Sequence, residues 1–448
     1  MRFLTTTPPG KVAIIGLGYV GSCIAATFAD RHVPVLGIDK DDRLIEELHD
    51  GECRFQEPGL AEPLVQAVGA GLLEVRTDFT GVETADVVLM TVGTPIRDDG
   101  ALAEEQLRGA CLELSEHLRA GQLIILKSTV PPGTTRDLVL PLLERGGLVG
   151  GRDFGLAFTP ERLAEGTALE ELRTLPIVVG GLEEESTRAA AQFWHGMLGV
   201  ETIELESCEA AEVVKLADNW WIDLNIALAN DLAKYCELYG ADVLEVIAAA
   251  NTITKGRGKV NILLPSVGVG GSCLTKDPWM VWRSAQQRGL DLQTAATGRE
   301  VNDGMPEYTA RRIVDELAAL GKDPARATVA VLGLAFKNNT GDLRATPTVA
   351  AVKELSKVVA QVRLYDPLVD AEQVESMFEI TPSANLREAT TNAECVAVFA
   401  LHDEFADIDF AELPTAESCL IFDGRAYYSR EQIDGWREQG YAYRGIGR

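Results

Sequence analysis

The sequence predicts an α/β protein in which two doubly wound domains are joined by a long central helix. Apolar runs rich in β-branched residues alternate with helix-like segments over roughly residues 10–200, which is typical of a parallel sheet covered by helices. The segment from Glu209 to Tyr239 contains no glycine or proline, which predicts one uninterrupted helix ending at Gly240. A second βαβ-like segment begins near residue 327 and resembles the first.

The bulk composition is that of a globular protein with two or three domains. The chain has 448 residues, of which 46% are hydrophobic and 24% charged. No apolar run reaches the ~20 residues of a membrane span, and the apolar region among the first residues is too short for a signal peptide, so we expect a cytoplasmic protein without a membrane partner. A net charge of −27 argues against a nucleic-acid partner. The eight cysteines contain no CxxC pair, which favours reduced thiols over disulfides or a metal site.

The first domain opens with a dinucleotide-binding pattern, "KVAIIGLGYVGSCIAATFADRHVPVLGIDKD". Gly16, Gly18 and Gly21 form GxGxxG between a strand and a helix, and Asp39 ends the second strand. The glycines allow a tight turn, a close approach to a pyrophosphate, and close packing of helix on strand. An aspartate at the ribose position accepts hydrogen bonds from the diol and repels a 2′-phosphate, which predicts NAD rather than NADP. A structural turn without a ligand is the alternative.

Further strands of this domain end in polar residues. They are predicted in "DVVLMTVGTP", "QLIILKSTVPPG" and "FGLAFTPERL", and a parallel sheet gathers its ligands at the carboxyl ends of such strands. Thr129 follows the second of them and could face the nicotinamide, although a stiff loop is the alternative. Glu161 and Glu165 share a helix face if a helix begins at Pro160; favourable charge at a helix start is the other explanation.

The central helix carries two polar residues on an otherwise apolar face. Lys215 and Asn219 lie one turn apart, and Ile222 and Ile226 extend the same stripe. If that face is buried, both polar groups need partners, either in a salt bridge or in a reaction centre that uses an ammonium and an amide as donors. The helix is too apolar for an exposed element, so we expect it between domains or against a second copy.

The glycine-rich segment "SVGVGGSCLTKDPW" presents a cysteine ahead of a helix. Asp277 is predicted as the N-cap and Pro278 as the first helical residue. A helix start and a nearby lysine favour the thiolate form of a cysteine, which makes Cys273, beside Lys276, a candidate nucleophile. The glycines leave room for a substrate; an inert structural thiol is the alternative.

A hydride acceptor combined with a nucleophilic cysteine suggests oxidation of an alcohol to an acid. One oxidation gives an aldehyde, the thiolate adds to it, a second oxidation gives a thioester, and water releases the acid. The route needs donors for an oxyanion and a carboxylate that manages water. Lys215, Asn219, Glu161 and Asp277 supply those groups.

The second βαβ segment lacks the pyrophosphate turn. In "TVAVLGLAFK", Gly333 matches Gly16 but Ala335 replaces Gly18, and Asp366 of "VRLYDP" takes the place of Asp39. This domain is therefore expected to bind a different nucleotide or none.

Six ordered motifs resemble those of the UDP-glucose/GDP-mannose dehydrogenase family: "GLGYVG", "KSTVPPGTT", "PERLAEGTAL", "AAEVVKLADN", "GVGGSCLTKD" and "LGLAFKNNTGDLR". The resemblance implies oxidation of C6 of a nucleotide-linked hexose to a carboxylate with two NAD. It also implies two Rossmann-like domains joined by a helix that forms a homodimer core, with the second domain holding the nucleotide sugar. We accordingly place an NAD-binding domain at residues 1–207, a helical dimerisation domain at 208–315 and a nucleotide-sugar domain at 316–448.

The resemblance also implies roles for individual residues. Cys273 is the nucleophile, and Lys215 and Asn219 stabilise the oxyanion. Asp277 and Glu161 handle the proton and the hydrolytic water, which Thr129 helps to place. The cofactor-binding residues implied are Gly16, Gly18, Tyr19, Val20, Gly21, Asp39, Lys40, Thr94, Pro95, Ser128, Thr129, Glu165, Lys276 and Arg344. The substrate-binding residues implied are Glu161, Leu163, Lys215, Asn219, Arg257 from a neighbouring subunit, Gly268, Gly270, Phe336, Lys337 and Arg425.

The substrate signal is mixed. Ser272 resembles the glucose enzymes, whereas Arg162, where those enzymes usually have Phe, and "DPW" resemble the N-acetylhexosamine enzymes; Leu264 falls where some glucose enzymes have Lys. The main prediction is oxidation of UDP- or dTDP-glucose to the glucuronate. The alternatives are oxidation of UDP-N-acetylglucosamine or UDP-N-acetylmannosamine, and a non-catalytic protein that binds a nucleotide sugar; the base, including GDP, stays open.

Overall fold

The computed structural model describes Phe3, residues 8–255 and residues 258–448, with the backbone alone at residue 255. These residues form two compact units, Met1–Asp218 and Asn219–Arg448. No helix in the described part of the chain is both long and apolar enough to cross a membrane.

The first unit is an α/β domain whose strands and helices alternate along the chain. Its described strands are β1 (Val12–Ile15), β2 (Val35–Ile38), β3 (Leu73–Arg76), β4 (Val87–Met90), β5 (Leu123–Leu126), β6 (Gly155–Phe158), β7 (Ile177–Gly181) and β8 (Thr202–Leu205). Its helices are α1 (Tyr19–Asp30), α2 (Asp42–His49), α3 (Ala61–Gly69), α4 (Glu105–His117), α5 (Leu140–Leu143), α6 (Ala168–Thr174) and α7 (Glu184–Leu198). The long helix α8 (Cys208–Tyr239) begins in this unit and continues into the next.

The strands of the first unit form one sheet in the order β3-β2-β1-β4-β5-β6-β7-β8. All neighbours are parallel except β6 and β7, which run antiparallel. Strands β1, β2, β4, β5 and β6 are buried along their whole length, because helices cover both faces of the sheet, and this explains their uninterrupted apolar runs. The strand order reverses between β1 and β4, the position at which such sheets bind dinucleotides.

The second unit places a bundle of helices beside a second sheet. It contains α9 (Val243–Ala250), β9 (Thr254–Lys255), β10 (Gly258–Lys259), α10 (Asp277–Gln287), α11 (Gln293–Asp303), α12 (Met305–Ala319), β11 (Thr328–Leu332), α13 (Pro347–Leu355), β12 (Gln361–Tyr365), α14 (Ala371–Phe378), α15 (Leu386–Thr390), β13 (Cys395–Val398), α16 (Asp403–Ala406), β14 (Leu420–Asp423), α17 (Arg430–Glu438) and β15 (Ala442–Gly445). Strands β9 and β10 form a short antiparallel ladder.

The second sheet is fully parallel, in the order β12-β11-β13-β14-β15. Its strand order reverses between β11 and β13, so the loops that follow β11, β13 and β14 meet at one edge. The predicted fold class, two Rossmann-like domains and a long helix in the middle, is confirmed. The three domain boundaries placed from the sequence stay a prediction.

Candidate active site

The glycine turn after β1 leaves backbone open for a phosphate. Gly16 adopts a φ of +99°, which favours glycine, and a Cβ at Gly21 would overlap the carbonyl oxygen of Gly16. Gly18 is exposed and a Cβ there would meet nothing within 4 Å. Helix α1 begins at the next residue, Tyr19, with no side-chain cap, so its first N–H groups are available to an anion.

Asp39 lies at the carboxyl end of β2, beside this turn. One carboxylate oxygen accepts a hydrogen bond from the backbone N–H of Leu17 at 2.8 Å, and the other accepts from that of Asp41 at 3.0 Å. The side chain is half-buried, so it keeps acceptor capacity for a ribose diol. The open turn, the helix start and the oriented carboxylate together fit NAD. Tyr19 and Val20 are half-buried beside the turn, and Lys40 is exposed.

The ends of β4 and β5 are held together by side chains. The Ser128 hydroxyl donates to the carbonyl of Val92 at 2.7 Å, and Thr129 follows in a half-buried position. Thr94 is buried and Pro95 exposed on the neighbouring strand end. These residues lie where the sequence placed them, at the carboxyl edge of the sheet.

Glu212 of α8 accepts hydrogen bonds from the loop that follows β5. Its carboxylate accepts from the N–H of Gly133 at 2.6 Å, and from the N–H and hydroxyl of Thr135 at 2.8 and 2.6 Å. Burial raises the pKa of Glu212 to about 7. Glu212 is not among the residues predicted from the sequence.

The helix predicted from Pro160 is wrong. Residues 160–164 are irregular and α6 begins only at Ala168. The side chain of Glu161 accepts from the N–H of Leu163 at 2.6 Å, which gives the backbone a local alternative to helical hydrogen bonds. Glu161 and Glu165, both half-buried, therefore do not share a helix face.

A buried lysine instead orients Glu161. Lys127, which is 4% exposed, places its Nζ 3.3 Å from a carboxylate oxygen of Glu161 and 4.9 Å from the centre of the Trp194 ring. Glu161 itself is 14% exposed. This pair gives the domain a fixed carboxylate that can accept a hydrogen bond from water or from a hydroxyl group.

The polar stripe on α8 is longer than the sequence analysis found. Glu212, Lys215, Asn219, Asp223 and Asn230 are all buried. Ile222 and Ile226, which were expected to extend the stripe, are only half-buried. Asp223 lies one turn beyond Asn219, so continuing the i, i+4 spacing through polar residues could have found it.

The glycines before Cys273 have a packing role. Gly268 adopts a φ of +136°, and a Cβ there would lie 2.8 Å from that of Pro347. A Cβ at Gly270 would overlap the Cβ of Phe336, and the N–H of Gly271 donates to the carbonyl of Arg344 at 3.0 Å. We expected these glycines to clear space for a substrate, whereas they allow the cysteine loop to pack closely on the segment that follows β11.

Cys273 is exposed one turn ahead of α10. Its carbonyl accepts from the N–H groups of Lys276 and Asp277 at 3.1 and 2.9 Å. The prediction of Asp277 as N-cap is wrong, because the helix begins at Asp277 and Lys276 is the cap residue. The Asp277 carboxylate is fully buried and accepts instead from Asn219 Nδ2 at 2.5 Å and from Lys276 Nζ at 2.6 Å.

Three of the predicted substrate-binding residues lie at the carboxyl edge of the second sheet. Phe336 and Lys337 follow β11, and Arg425, which follows β14, donates to the carbonyl of Phe336. Arg344 is exposed and pairs with Asp342, with Nε 2.9 Å from each carboxylate oxygen. Arg257 lies outside the described residues.

In the second domain, Asp366, which corresponds to Asp39, is hydrogen-bonded to His402. Asp366 accepts from the N–H of Leu334 at 2.6 Å, and His402 Nε2 lies 3.0 Å from the same oxygen. Because His402 Nδ1 accepts from the N–H of Asn339 at 2.8 Å, Nε2 carries the proton and donates to Asp366. The carboxylate that would receive a dinucleotide ribose is therefore occupied, as expected for a domain that binds a different nucleotide or none.

Three family models match successive parts of the chain. The NAD binding domain of the UDP-glucose/GDP-mannose dehydrogenase family matches residues 10–197, its central domain 209–304, and its UDP binding domain 330–430.

Individual relatives cover nearly the whole chain. A UDP-N-acetyl-D-mannosamine dehydrogenase of Pyrococcus horikoshii is 31% identical over 98% of this chain and 99% of its own length. A UDP-glucose 6-dehydrogenase of Haloferax volcanii is 32% identical over 94% of this chain and 98% of its own. A solved structure of a UDP-D-ManNAc dehydrogenase from Pyrococcus horikoshii has a TM-score of 0.87, with 30% identity over 98% of this chain and 99% of that one. The chain therefore belongs to the UDP-glucose/GDP-mannose dehydrogenase family and is an NAD-dependent nucleotide-sugar dehydrogenase.

Proposed function

We propose that the chain oxidises C6 of a UDP-N-acetylhexosamine, with UDP-N-acetylmannosamine as the first candidate. The sequence alone favours a glucosyl nucleotide and leaves this substrate as the alternative. The Pyrococcus relative, which is aligned over nearly the full length of both chains, carries the mannosamine name and supports the alternative.

The observation that carries this choice is Arg162. It follows Glu161 directly, is half-buried, and places Nε 2.9 Å from a carboxylate oxygen of Asp218. A guanidinium held at one side by a carboxylate has further N–H donors in a fixed plane, and these suit the carbonyl oxygen of an acetamido group. The glucose enzymes of the family usually have a phenyl group at this position, and a phenyl group supplies no donor.

UDP-glucose is the second candidate. It is favoured by Ser272 and by the Haloferax relative, whose identity to this chain is as high as that of the Pyrococcus one. A non-catalytic nucleotide-sugar-binding protein is the third possibility, and acid formation from any nucleotide sugar excludes it.

The proposed chemistry assigns the nucleophile to Cys273. NAD, when bound, accepts the hydrides that leave C6 in the two oxidations. After the alcohol has lost a hydride and a proton, the Cys273 thiolate adds to the aldehyde carbon and forms a C–S bond. The carbonyl oxygen then carries the negative charge, which the ammonium of Lys215 and an amide N–H of Asn219 stabilise. Asn219 has two such N–H groups, and Asp277 takes one of them.

Hydrolysis completes the reaction. Loss of the second hydride leaves a thioester, and water attacks its carbon to release the carboxylic acid and the thiol. We assign deprotonation of this water to the carboxylates of Glu161 and Asp277, with Thr129 as a hydrogen-bonding partner of the water. Lys127 keeps Glu161 in one orientation through the ion pair described above.

A panel of nucleotide sugars tests the proposal. NADH formation with UDP-N-acetylmannosamine, UDP-N-acetylglucosamine, UDP-glucose and dTDP-glucose is compared as kcat/KM. We expect one of the two acetamido sugars to exceed both glucosyl nucleotides by at least ~5-fold, because an Arg162 donor that substrate binding covers without giving it an acceptor is penalised by ~1–3 kcal/mol. Arg162→Phe should remove that preference. A wild-type enzyme that prefers UDP-glucose would establish the second candidate instead.

We also propose a homodimer through α8. Trp221, Leu228 and Tyr235 lie seven residues apart on this helix and are 50%, 54% and 57% exposed. Such a spacing forms one apolar seam, which a second copy of the helix could bury. Light scattering should give the mass of a dimer for the wild type and that of a monomer for Leu228→Glu. A monomeric wild type at micromolar concentration would contradict this part of the proposal.

A further inference from the structure

We propose that a buried hydrogen-bond relay headed by Asp223 holds both ends of the Cys273 loop and so positions the thiol for attack. The relay consists of Asp223, Asn230, Arg299 and Asn302, and the loop is residues 266–274. The role in attack rests on the proposed function, whereas the support of the loop does not. None of the four is itself assigned to contact substrate or cofactor, so they are positioning residues.

One arm of the relay reaches the start of the loop. Asn302 Nδ2 donates to the carbonyl and to a carboxylate oxygen of Asp223, at 2.9 and 2.8 Å. Asn302 Oδ1 accepts from Asn230 Nδ2 at 2.9 Å, and Asn230 Oδ1 accepts from the N–H of Ser266 at 2.8 Å.

The polarity of this arm is fixed at both ends. The Asp223 carboxylate only accepts, and the Ser266 backbone N–H only donates, so each amide between them has one permitted orientation. Reversing either amide would bring two acceptors or two donors together. The arm therefore specifies one position for Ser266 relative to α8.

The other arm reaches the end of the loop. Arg299 Nη1 donates to the Asp223 carboxylate at 2.6 Å and to the carbonyl of Leu274 at 3.4 Å, while its Nη2 pairs with Asp303. Leu274 directly follows Cys273. One carboxylate on α8 thus organises contacts at both ends of the nucleophile loop.

The relay is fully buried, which is better explained by a role in positioning the loop than by a contribution to the free energy of unfolding. Asp223, Asn230, Arg299 and Asn302 are each at most 1% exposed. A buried ion pair contributes little net stability against well-packed apolar residues, because both charges lose their hydration, so it is better explained by the geometry it specifies.

The loop itself needs outside support. Three of its nine residues are glycines, whose backbone is the least restricted of any residue, and Ser272 and Cys273 are exposed, so the loop's own anchors are mainly the buried side chains of Val267 and Val269. Its middle packs on Phe336 and Pro347, and the relay holds its two ends.

The test uses Asn230→Asp with a matched control on the same helix. Asn230→Asp keeps the volume but places an acceptor opposite Asn302 Oδ1, which breaks the polarity of the arm. Asn225 makes the same kind of contact outside the relay, donating to the carbonyl of Asn261 at 2.7 Å and accepting from the N–H of Leu263 at 2.9 Å. Asn225→Asp is therefore the control.

Two readouts separate positioning from general damage. With the preferred nucleotide sugar, we expect Asn230→Asp to lower kcat at least 10-fold, with the KM for sugar and for NAD within threefold of wild type. Because a misplaced thiol captures the aldehyde poorly, the aldehyde should escape, and NADH formed per acid should rise above two. Asn225→Asp should leave kcat within threefold and the ratio at two.

Hydrogen exchange of residues 266–274 tests the relay without substrate. We expect exchange to be at least 10-fold faster in Asn230→Asp than in wild type or in Asn225→Asp. If Asn230→Asp does not fold, Arg299→Lys, which keeps the charge but loses the second contact, replaces it with the same expected results. Equal effects of the relay variant and the control on kcat, product ratio and exchange would overturn the inference. A wild type without turnover on any sugar would refute the proposed function, and the exchange comparison would still decide the loop support.

Discussion

Glu212 should make the stability of the first unit depend on pH. Its buried carboxyl has a pKa of about 7, against an ordinary value of about 4.3. Between these values the unfolded chain has released the proton and the folded chain retains it, so the free energy of unfolding falls as pH rises. The contribution is fully present below pH ~4 and lost above ~7, and from pH 5 to 8 it amounts to ~2–3 kcal/mol.

The perturbation is Glu212→Gln, which stays neutral at every pH. In a unit of about this size 1 kcal/mol moves Tm by ~2–4 °C, so Tm of wild type minus Tm of Glu212→Gln should fall by ~5–10 °C from pH 5 to 8. Differential scanning fluorimetry at several pH values measures it. Glu209→Gln is the control, because Glu209 lies one turn earlier and Arg136 lowers its pKa, away from this window. A difference that stays flat within ~2 °C would refute the argument.

Two further predictions concern glycines, and one concerns a lysine. Gly21→Ala should weaken NAD binding at least ~10-fold, measured by titration of NADH fluorescence, because its Cβ would overlap the turn at Gly16; unchanged affinity would contradict this. Gly270→Ala should lower both Tm, by several degrees, and kcat, because its Cβ would overlap Phe336. A variant with wild-type Tm and kcat would contradict this and show that the loop can shift to accommodate the Cβ. Lys127→Met should lower kcat by a larger factor than it changes the KM for sugar or for NAD, because Glu161 loses its ion-pair partner. An unchanged kcat would show that Lys127 does not orient Glu161 for the reaction.

The fold was predictable because its signals are local and repeated. Buried parallel strands give continuous apolar runs, and the GxGxxG turn with Asp39 marks the first of them. The antiparallel direction of β7 was not predictable, since a strand's apolar pattern is the same in either direction.

The contacts of the predicted site residues were less predictable than the fold. Local spacing suggested a helix at Glu161, but a side-chain hydrogen bond to the backbone of Leu163 and the distant Lys127 decide the conformation there. Asp277 resembled a helix cap, and its contacts with Asn219 and Lys276 depend on chain segments far apart in sequence. The Asp223 contacts connect α8 to α11 and could not be read from either segment alone.

A covalent intermediate on Cys273 is the central claim of the proposed chemistry. The most direct measurement is intact-protein mass spectrometry of Glu161→Gln after mixing with NAD and UDP-N-acetylmannosamine and quenching in acid, since slow hydrolysis should let the thioester accumulate. We predict one acyl nucleotide-sugar adduct per chain, on the peptide that contains Cys273, and no adduct in Glu161→Gln combined with Cys273→Ser. Acid formation at near wild-type rate by Cys273→Ser, with no adduct in Glu161→Gln, would contradict the covalent route.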